Sequence, residues 1–413
     1  MIIAAVLIIA VSAFLVYYFV LLKPEVPEEA QLTQEERARL ILTEEEIEQG
    51  YTIERKIAEL EEERRLALEE GQEITPVEVE EAAVKPIVAQ ETISSTLSPD
   101  QKSLIYFDPE EEDFVISDLD GNNPRSVTSL DLKNVWDVNW SQSRDSAIVT
   151  TSDNEGRDKQ YTYVNLRDQS TFTYDSKFQS VNLNPKGNKI AYLYRDEEND
   201  ISNISVANTD TSSFTTLYSY PEPDVEINWF DENYIEFNNK SSGFKEGEIS
   251  ITDSAGATLR VIVGERYGVD PLYSLDNNKI LYSAASVKSP RKLKLYVTDK
   301  QGMNEGAYLG IDTLIDKCTW SLDNVTVYCG VPDFYTDSLV MPNDYYNERF
   351  ISTDSLYEIN TDTRRAKVIK ASKDLEETYD IHKPFMSADG SLFYFTNRID
   401  GQLNAITIPK AEE

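Results

Sequence analysis

Few side chains in this sequence have the types and spacing that catalysis or metal binding requires. The 413 residues include one His, His382, and two Cys. One imidazole excludes zinc sites built on two or three His and leaves a single candidate for acid–base chemistry. The chain has no second His and no G-x-S-x-G motif, so a Ser-His-Asp mechanism has no place in it. We therefore expect a structural or rim His382 and assign no catalytic residue, no cofactor and no metal.

The two cysteines flank a predicted β-hairpin. If Ser321 pairs with Thr326, Trp320 faces Val327 and Cys318 falls opposite Cys329. Cysteines facing each other across antiparallel strands are close enough for a disulfide. A disulfide between Cys318 and Cys329 would indicate an oxidising compartment, and the alternative is two buried free thiols. No other soft ligand lies nearby in the sequence, which argues against a metal site.

Carboxylates are abundant, with 74 Asp and Glu. The segment Asp118–Asn122 partly imitates a calcium loop, but it lacks the downstream Glu and is better explained as a hairpin turn. A glycosidase needs a pair of carboxyl groups across a cleft, and the sequence does not exclude such a pair. Against 39 Lys and Arg, the net charge of −35 disfavours nucleic acid as a partner, because phosphate binding requires clustered cations.

A segment rich in aromatic and acidic residues extends from Val331 to Ser352. Large amphipathic rings are typical of recognition loops, because they offer contact area at low entropic cost. One interpretation is a loop that contacts a protein partner, and the other is that the rings pack the segment onto its own domain. The candidate contact residues are Phe334, Tyr335, Asp337, Asp344, Tyr345, Tyr346 and Phe350.

A repeated pattern positions these residues from about residue 90 onward. An apolar or aromatic residue and then, in most copies, a small polar one precede turn-forming residues and a β-run. The second positions of the copies lie 43, 43, 46, 44, 47 and 66 residues apart. A period near 45 residues is typical of four-stranded propeller blades. The seven copies begin at Leu97, Trp140, Leu183, Trp229, Tyr273, Trp320 and Met386.

Each repeat contains a second hairpin, so its strands are named A, B, C and D in chain order. One hairpin is marginally stable alone, and the repeats need one another's faces to form a core. The sequence predicts an all-β domain over residues 84–413, a seven-bladed β-propeller of four-stranded antiparallel blades. The long interval in repeat 6 places the insertion 331–352 between strands B and C.

The last repeat lacks its strand D. The segment Ala83–Ala89 precedes the first strand A and is expected to fill that place, so that an N-terminal strand closes the ring. Pro86 suits only an outer edge strand, because proline has no N–H to donate. In this arrangement the preceding chain enters on the face of the A–B and C–D turns. The insertion then lies on the opposite, membrane-distal face.

The residues of the first repeat resemble a known family. The segment from Ser98 to Thr128, with Ser-Pro-Asp before strand B and Asp-Gly-Asn after strand C, is similar to the repeat of TolB-like propellers, which are WD-repeat-like. The likeness covers residues 90–409 and is weakest at Trp229-Phe230-Asp231. Repeat 6 is also similar to uncharacterised membrane-anchored propellers of ultrasmall uncultured bacteria. The resemblance implies a fold and a binding role, and it implies no chemistry.

The first 23 residues are predicted to anchor the chain. Ile2–Leu22 is uninterrupted by charge or proline and is long enough to cross a bilayer. A cleaved signal peptide is the alternative, but the apolar run exceeds a typical h-region and no cleavage pattern follows it. Lys23 alone would place the body inside the cell. The cysteine pair and the fold favour the opposite orientation more strongly. We therefore expect a single-pass protein of the cytoplasmic membrane whose main domain lies outside the cytoplasm.

Residues 24–83 are predicted to form an acidic helical stalk. The segment has 20 Glu and six Lys or Arg, and two capping boxes begin at Thr33 and Thr43. The helix after the second box is either a solitary solvated helix or one strand of a short coiled coil, which leaves the oligomeric state open.

The most consistent interpretation is a non-enzymatic binding or scaffolding module of the cell envelope. It contacts the lipid bilayer through residues 2–22 and a protein partner through the insertion. One alternative is an envelope hydrolase or carbohydrate-binding protein that uses distal carboxylates. A second is a surface-filament subunit assembled through the N-terminal helix.

Overall fold

The computed structural model describes residues 83–152, 159–220, 225–285, 293–302, 306–334 and 339–409. The predicted anchor, residues 1–23, and the stalk up to residue 82 lie outside this part of the chain. Within the described residues no helix has both the length and the apolar character needed to cross a bilayer.

Antiparallel strands make up almost all of the regular structure in the described residues. Helical structure there consists of one short helix, α1 (Asn343–Tyr346), and the 3₁₀ turns Ile315–Lys317 and Ser372–Asp374. The strands are β1 (Val84–Glu91), β2 (Ile93–Leu97), β3 (Ser103–Asp108), β4 (Asp113–Asp118), β5 (Arg125–Ser126), β6 (Val135–Trp140), β7 (Ser146–Thr151), β8 (Gln160–Asn165), β9 (Thr171–Thr173), β10 (Phe178–Leu183), β11 (Lys189–Asp196), β12 (Ile201–Asn208), β13 (Thr215–Tyr220), β14 (Val225–Asn228), β15 (Tyr234–Asn239), β16 (Glu246–Asp253), β17 (Leu259–Tyr273), β18 (Lys279–Ala285), β19 (Lys294–Asp299), β20 (Ala307–Asp312), β21 (Cys318–Trp320), β22 (Thr326–Pro332), β23 (Asp354–Asn360), β24 (Arg365–Lys370), β25 (Ile381–Met386), β26 (Leu392–Asn397) and β27 (Gln402–Thr407).

The sheets follow the sequence repeats. Strands β2 to β5, β6 to β9, β10 to β13 and β21 to β24 each form a four-stranded sheet in chain order. Repeats 4 and 5 share one seven-stranded sheet, because β17 runs without a break from strand D of repeat 4 into strand A of repeat 5. Its first part pairs with β16 (Thr252 opposite Leu259), and its last part pairs with β18 (Tyr273 opposite Ile280).

The N-terminal strand belongs to the sheet of the last repeat. The order of that sheet is β1, β27, β26, β25, and Val84 lies opposite Ile406. Pro86, opposite Asn404, therefore sits on an edge strand, where the missing N–H removes no bond from a central ladder. Residues some 320 positions apart in sequence thus form one sheet.

The Ser-x-Asp element of the repeat makes the turn between strands A and B. In repeat 1 the Ser98 hydroxyl donates to Asp100 (2.7 Å) and accepts the backbone N–H of Ser103 (3.1 Å). The same contacts recur around Ser274 in repeat 5 and Ser387 in repeat 7. One short side chain therefore satisfies the backbone at the turn and holds the carboxylate that caps it.

The Asp-Gly-Asn segment of repeat 1 is the turn between strands C and D. Gly121 has φ +81°, and a Cβ at this position would lie 1.8 Å from the carbonyl oxygen of Ile87 in β1. Asp118 and Asp120 accept hydrogen bonds from the side-chain amides of Asn123 and Asn122, both at 2.7 Å. Glycine is therefore required for close packing against the N-terminal strand, and both carboxylates serve the turn.

The core of the described residues consists of clusters between successive repeats. Buried apolar residues fill the interfaces of repeats 1 and 2, 2 and 3, 3 and 4, 4 and 5, 5 and 6, and 6 and 7. A further cluster joins repeat 7 to repeat 1 and includes Val88, Leu104, Tyr106, Tyr394 and Leu403. Each sheet thus buries both faces against its neighbours.

The two cysteines face each other across the hairpin, as the predicted register requires. Trp320 pairs with Val327 and Cys318 with Cys329, with Cα atoms 4.1 Å apart, and the structure joins the cysteines as a disulfide. Both are buried in the cluster between repeats 5 and 6. The bond links strands A and B of repeat 6 directly below the insertion.

We expect the disulfide to stabilise this repeat. Closing a loop with a sequence separation of 11 restricts the unfolded chain, so that Cys318→Ala with Cys329→Ala should lower the free energy of unfolding by about 2–3 kcal/mol. Chemical denaturation of the oxidised wild type, the reduced wild type and the double variant measures the effect. Peptide mapping of the native protein without reductant should find the cross-linked pair, and two alkylatable thiols would contradict the prediction.

Candidate functional site

Each of the seven repeats has a polar residue three positions before the apolar or aromatic residue at which its sequence pattern begins. Most of these polar residues lie at or near the start of strand A, and several of them are in contact in the structure. The Ser94 hydroxyl donates to Asp137 (2.8 Å), and the Lys383 ammonium contacts the same carboxylate and the Ser94 hydroxyl (3.4 Å). Strands A of repeats 7, 1 and 2 therefore meet. The full set is Ser94, Asp137, Ser180, Glu226, Asp270, Lys317 and Lys383.

A pocket of about 650 Å³ lies beside this meeting point, and we call it the polar pocket. It is formed by repeats 2 to 5, with residues from strands A, from strands B and their ends, and from the start of strand C of repeat 2. It therefore opens on the face of the B–C and D–A connections. Its lining is Trp136, Asp137, Asn139, Thr150, Lys159, Tyr161, Gln179, Ser180, Val181, Asn182, Val225, Glu226, Ile227, Asn228, Glu236, Asn238, Lys240, Asp270 and Pro271.

The carboxylates of the pocket differ in their tendency to ionise. Burial opposes ionisation of Asp137, but the ammonium of Lys383 holds the pKa of Asp137 below its ordinary value. Burial, with the nearby charges of Asp270 and Glu226, raises the pKa of Glu236 well above its ordinary value. Glu236 is 1% exposed, and its Oε1 has no hydrogen-bond partner within the described structure. The lining of the pocket therefore includes a buried carboxyl group with one oxygen that lacks a hydrogen-bond partner.

Asp270 marks the edge of the pocket nearest the insertion. Burial, followed by the charges of Asp316 and Glu226, raises the pKa of Asp270 well above its ordinary value. The Tyr346 hydroxyl donates to Asp270 over 3.0 Å, so the insertion reaches the pocket's edge.

The insertion crosses the face from repeat 6 to repeat 4. The Asn343 side-chain oxygen accepts the backbone N–H of Gly243 (2.7 Å), in the B–C connection of repeat 4. At the other side, Arg398 of repeat 7 donates to the carbonyl of Phe350 (2.9 Å) and to that of Tyr345. The described part of the insertion thus contacts repeats 4, 5 and 7, and none of its residues belongs to the lining of the polar pocket.

A buried ion cluster holds the insertion in place. The Lys317 ammonium, which is fully buried, contacts Asp354 (2.6 Å), Asp380, the Ser352 hydroxyl (2.8 Å) and the carbonyl of Ile381 (3.1 Å). Burial raises the pKa of Asp354 above its ordinary value in spite of this ammonium.

The ring of Tyr345 rests on these cations. The Lys317 Nζ lies 5.1 Å from the ring centroid and the Arg398 Cζ lies 4.1 Å from it, both within the range of a cation–π contact.

His382 lies beside the same ring. Its Nδ1 and the Tyr345 hydroxyl are 3.1 Å apart and hydrogen-bonded. Burial lowers the pKa of His382 to about 4, so the imidazole is neutral at neutral pH. Its contact with Tyr345 gives it a positioning role under the insertion.

The predicted contact residues of the insertion separate into two groups. Tyr345 and Phe350 are buried in a cluster with Leu293, Leu314 and Met341. Phe334 is 62% and Tyr346 39% exposed. The backbone N–H of Val340 donates to Asp344 (2.7 Å), and Arg349 lies 3.6 Å from the same carboxylate. Tyr335 and Asp337 lie outside the described residues. Among the described rings of the insertion, only Phe334 and Tyr346 therefore present surface to a partner.

The sequence interpretation missed the residues of the polar pocket. The repeat alignment contains a signal for some of them, since the position three residues before the pattern is polar in all seven copies. Glu236 has a different signal, as the one charged residue within the β-run Tyr-Ile-Glu-Phe of repeat 4. Within the described part of the chain, no group of three or more His, Cys, Asp and Glu is arranged to hold a metal ion.

Comparisons with known proteins establish the fold. No protein family profile matches the chain, and no curated protein matches it. An oligogalacturonate lyase from Vibrio parahaemolyticus is similar in structure with a TM-score of 0.53 and 10% identity, covering 80% of this chain and 93% of the lyase. The β-propeller domain of Cps50 (Swd1) from Myceliophteria thermophila has a TM-score of 0.52 and 9% identity, covering 78% and 98%. TolB from Acinetobacter baumannii has a TM-score of 0.42 and 13% identity, covering 71% and 66%. The described chain is therefore a β-propeller, and identities this low show the fold alone.

Replacing Lys317 tests whether the buried ions hold the insertion. Lys317→Met leaves Asp354 and Asp380 buried without their ammonium, so we expect a loss of about 3–5 kcal/mol in the free energy of unfolding. Lys279→Met is the matched control, because Lys279 pairs with Asp362 (2.7 Å) at a partly exposed site worth about 0–1 kcal/mol. Guanidinium unfolding followed by tryptophan fluorescence measures both variants, and equal losses would contradict the prediction.

Proposed function

We propose that this chain is a non-enzymatic, protein-binding module of the cell envelope, anchored in the cytoplasmic membrane by residues 2–22. Its β-propeller lies outside that membrane and binds its partner with the face that carries the insertion and the polar pocket. The observation that carries the proposal is the combination, on this one face, of a concave polar pocket with exposed aromatic rings. Such combinations are typical of recognition surfaces.

The proposal includes a propeller of seven blades closed by β1. Three observations support it: the pairing of β1 with β27, the apolar cluster between repeats 7 and 1, and the contact of Lys383 with Ser94 and Asp137. A closed ring fixes the relative positions of the B–C connections. The insertion and the pocket then form a single rigid surface on the membrane-distal side.

Exposed rings occur in the lining of the pocket and in the insertion. Trp136, which lines the pocket, is 60% exposed, and Phe334 and Tyr346 belong to the insertion. Trp and Tyr are enriched in binding hot spots, because each buries a large area at low entropic cost. These three rings are the contacts that we assign to the partner.

The carboxylates of the pocket support a second candidate, an envelope glycan hydrolase. Glu236 has a raised pKa and Asp137 a lowered one. Glycoside hydrolysis uses one carboxyl group of raised pKa and a second that stays ionised, held across a cleft. Release of reducing ends from envelope polysaccharide by the purified wild-type chain would favour this candidate over the binding module.

The partner contact is testable with point substitutions of exposed rings. We expect Phe334→Ala with Tyr346→Ala to lower the recovery of the partner by about tenfold or more, since truncating hot-spot rings costs about 2 kcal/mol each. Cross-linking in cells that express the full-length chain, followed by quantitative mass spectrometry, measures recovery.

Phe214→Ala is the matched control for this experiment. Phe214 is 66% exposed and lies in the turn between β12 and β13, on the opposite face. Equal recovery of every cross-linked protein by the wild type and the double variant would overturn the role of the insertion.

The membrane arrangement makes a separate prediction. The full-length chain should sediment with membranes, and deletion of residues 2–22 should release it, because the deleted stretch supplies the apolar length that a bilayer requires. Protease added to cells with opened outer layers should degrade the propeller while a cytoplasmic marker survives. Complete protection of the propeller would contradict the extracytoplasmic location.

A further inference from the structure

We propose that the polar pocket binds the basic side chain of an arginine or lysine from the protein partner, with Glu236 as the anchoring carboxylate. This inference rests on the proposed function, since it names the chemistry that the binding face recognises. It starts from a carboxylate oxygen that has no partner in a well-packed part of the protein.

Glu236 lies in β15, strand B of repeat 4, between the buried residues Ile235 and Phe237. Asn228 of β14 donates to its carboxylate, whereas Oε1, which is also shielded from solvent, has no partner among the described residues. A buried carboxylate without a full set of hydrogen bonds costs stability. A donor from a bound ligand would remove that cost, and Glu236 belongs to the lining of the pocket through which such a ligand would approach.

The charges of the pocket select a cation. None of Glu226, Glu236 and Asp270 forms an ion pair with another described residue. The two cations of the lining, Lys159 and Lys240, are exposed. Burial raises the pKa of Glu226, whereas both cations act to lower it. An ammonium or guanidinium group bound among the three carboxyl groups would favour their ionised forms.

The size and lining of the pocket favour a side chain presented by a protein over a free amine. Its volume of about 650 Å³ exceeds that of a single guanidinium group. Amide side chains of Asn139, Gln179, Asn182 and Asn238 supply donors and acceptors for a peptide backbone. The exposed ring of Trp136 can cover the aliphatic stem of a basic side chain or stack on a guanidinium.

Binding is expected to release a proton. Glu226 and Asn228 face Glu236 from β14, and Asp270 and Tyr273 face it from β17. Burial and the carboxylates among these groups favour the protonated form of Glu236 in the empty pocket, whereas a cation favours the ionised form. Affinity for the cation should therefore fall as the pH is lowered.

The test uses the full-length chain in detergent micelles and three probes. They are an acetylated and amidated Gly-Ser-Arg-Ser-Gly peptide, the same peptide with citrulline in place of arginine, and putrescine. We expect calorimetry to show binding of the arginine peptide with proton release, seen as a dependence of the heat on the buffer's ionisation enthalpy. The citrulline peptide, which has the same shape without the charge, should bind about tenfold more weakly or worse.

Glu236→Gln is the decisive variant, because it keeps the shape of the side chain and cannot ionise when a cation binds. We expect it to lower affinity for the arginine peptide about tenfold or more, to abolish the proton release, and to melt at the wild-type temperature or above. Glu232→Gln is the matched control, since Glu232 pairs with Lys186 (2.8 Å) at an exposed turn of the same repeat.

Each of three results would overturn the inference: equal binding of the arginine and citrulline peptides, unchanged binding by Glu236→Gln, or putrescine binding as tightly as the arginine peptide. A lower melting temperature of Glu236→Gln would also overturn it, because the carboxylate would then serve the fold. Failure of these probes while cross-linked partners still depend on Phe334 and Tyr346 would leave the proposed function standing. Loss of both would remove the proposed function as well.

Discussion

Burial of apolar side chains between neighbouring sheets is the interaction on which the rest of this structure depends. Each sheet is covered on both faces, and residues such as Tyr106, Tyr282 and Phe393 have no exposed surface. A side chain of this size contributes about 1.5–3 kcal/mol when it is fully buried. Some polar groups at these interfaces are also paired: Tyr394 donates to the Leu119 carbonyl (2.9 Å) and Trp140 to that of Ser94 (2.7 Å). A sheet without its neighbour would expose the apolar groups and leave the polar ones unpaired.

This constraint explains why polar chemistry is concentrated at the starts of strands A. The faces of the sheets are committed to one another, so carboxylates and amides are tolerated where a strand meets the pocket. Asp137 is compensated there by Lys383 and Ser94, whereas Glu236 remains only partly satisfied. Asp137, whose carboxylate is paired, stabilises the fold, whereas the unpaired oxygen of Glu236 makes that residue a candidate for ligand binding.

The insertion shows how stability and recognition are connected. Its buried ring, Tyr345, is held by Lys317 and Arg398, and its neighbour Tyr346 donates to Asp270 at the pocket's edge. Adjacent residues in α1 therefore face an ion cluster and the candidate binding surface. Loss of the buried ammonium would disturb the exposed ring as well, since both rings depend on the position of one short helix.

Local rules suffice for much of the fold. The hairpin register of Cys318 and Cys329 follows from the alternation of residues across two strands, and the edge position of Pro86 follows from its missing N–H. The unbroken course of β17 through two repeats could not be predicted in this way, because strand D of one repeat and strand A of the next are normally separated by a connection. The ion cluster was equally hidden, since Lys317 and Asp380 are 63 residues apart and no local rule brings them together.

The burial of Glu236 could not be predicted from the alternation of polar and apolar residues in its strand. Alternation of polar and apolar residues distinguishes the two faces of a strand only when one face meets solvent. In β15 the four central residues are all buried, because neighbouring sheets cover both faces. A glutamate in such a strand therefore cannot be assigned to a solvent side, and its burial follows only from the presence of sheets on either side. The unpaired oxygen of Glu236 and its place in the lining of the pocket follow from its neighbours in space, and not from its neighbours in sequence.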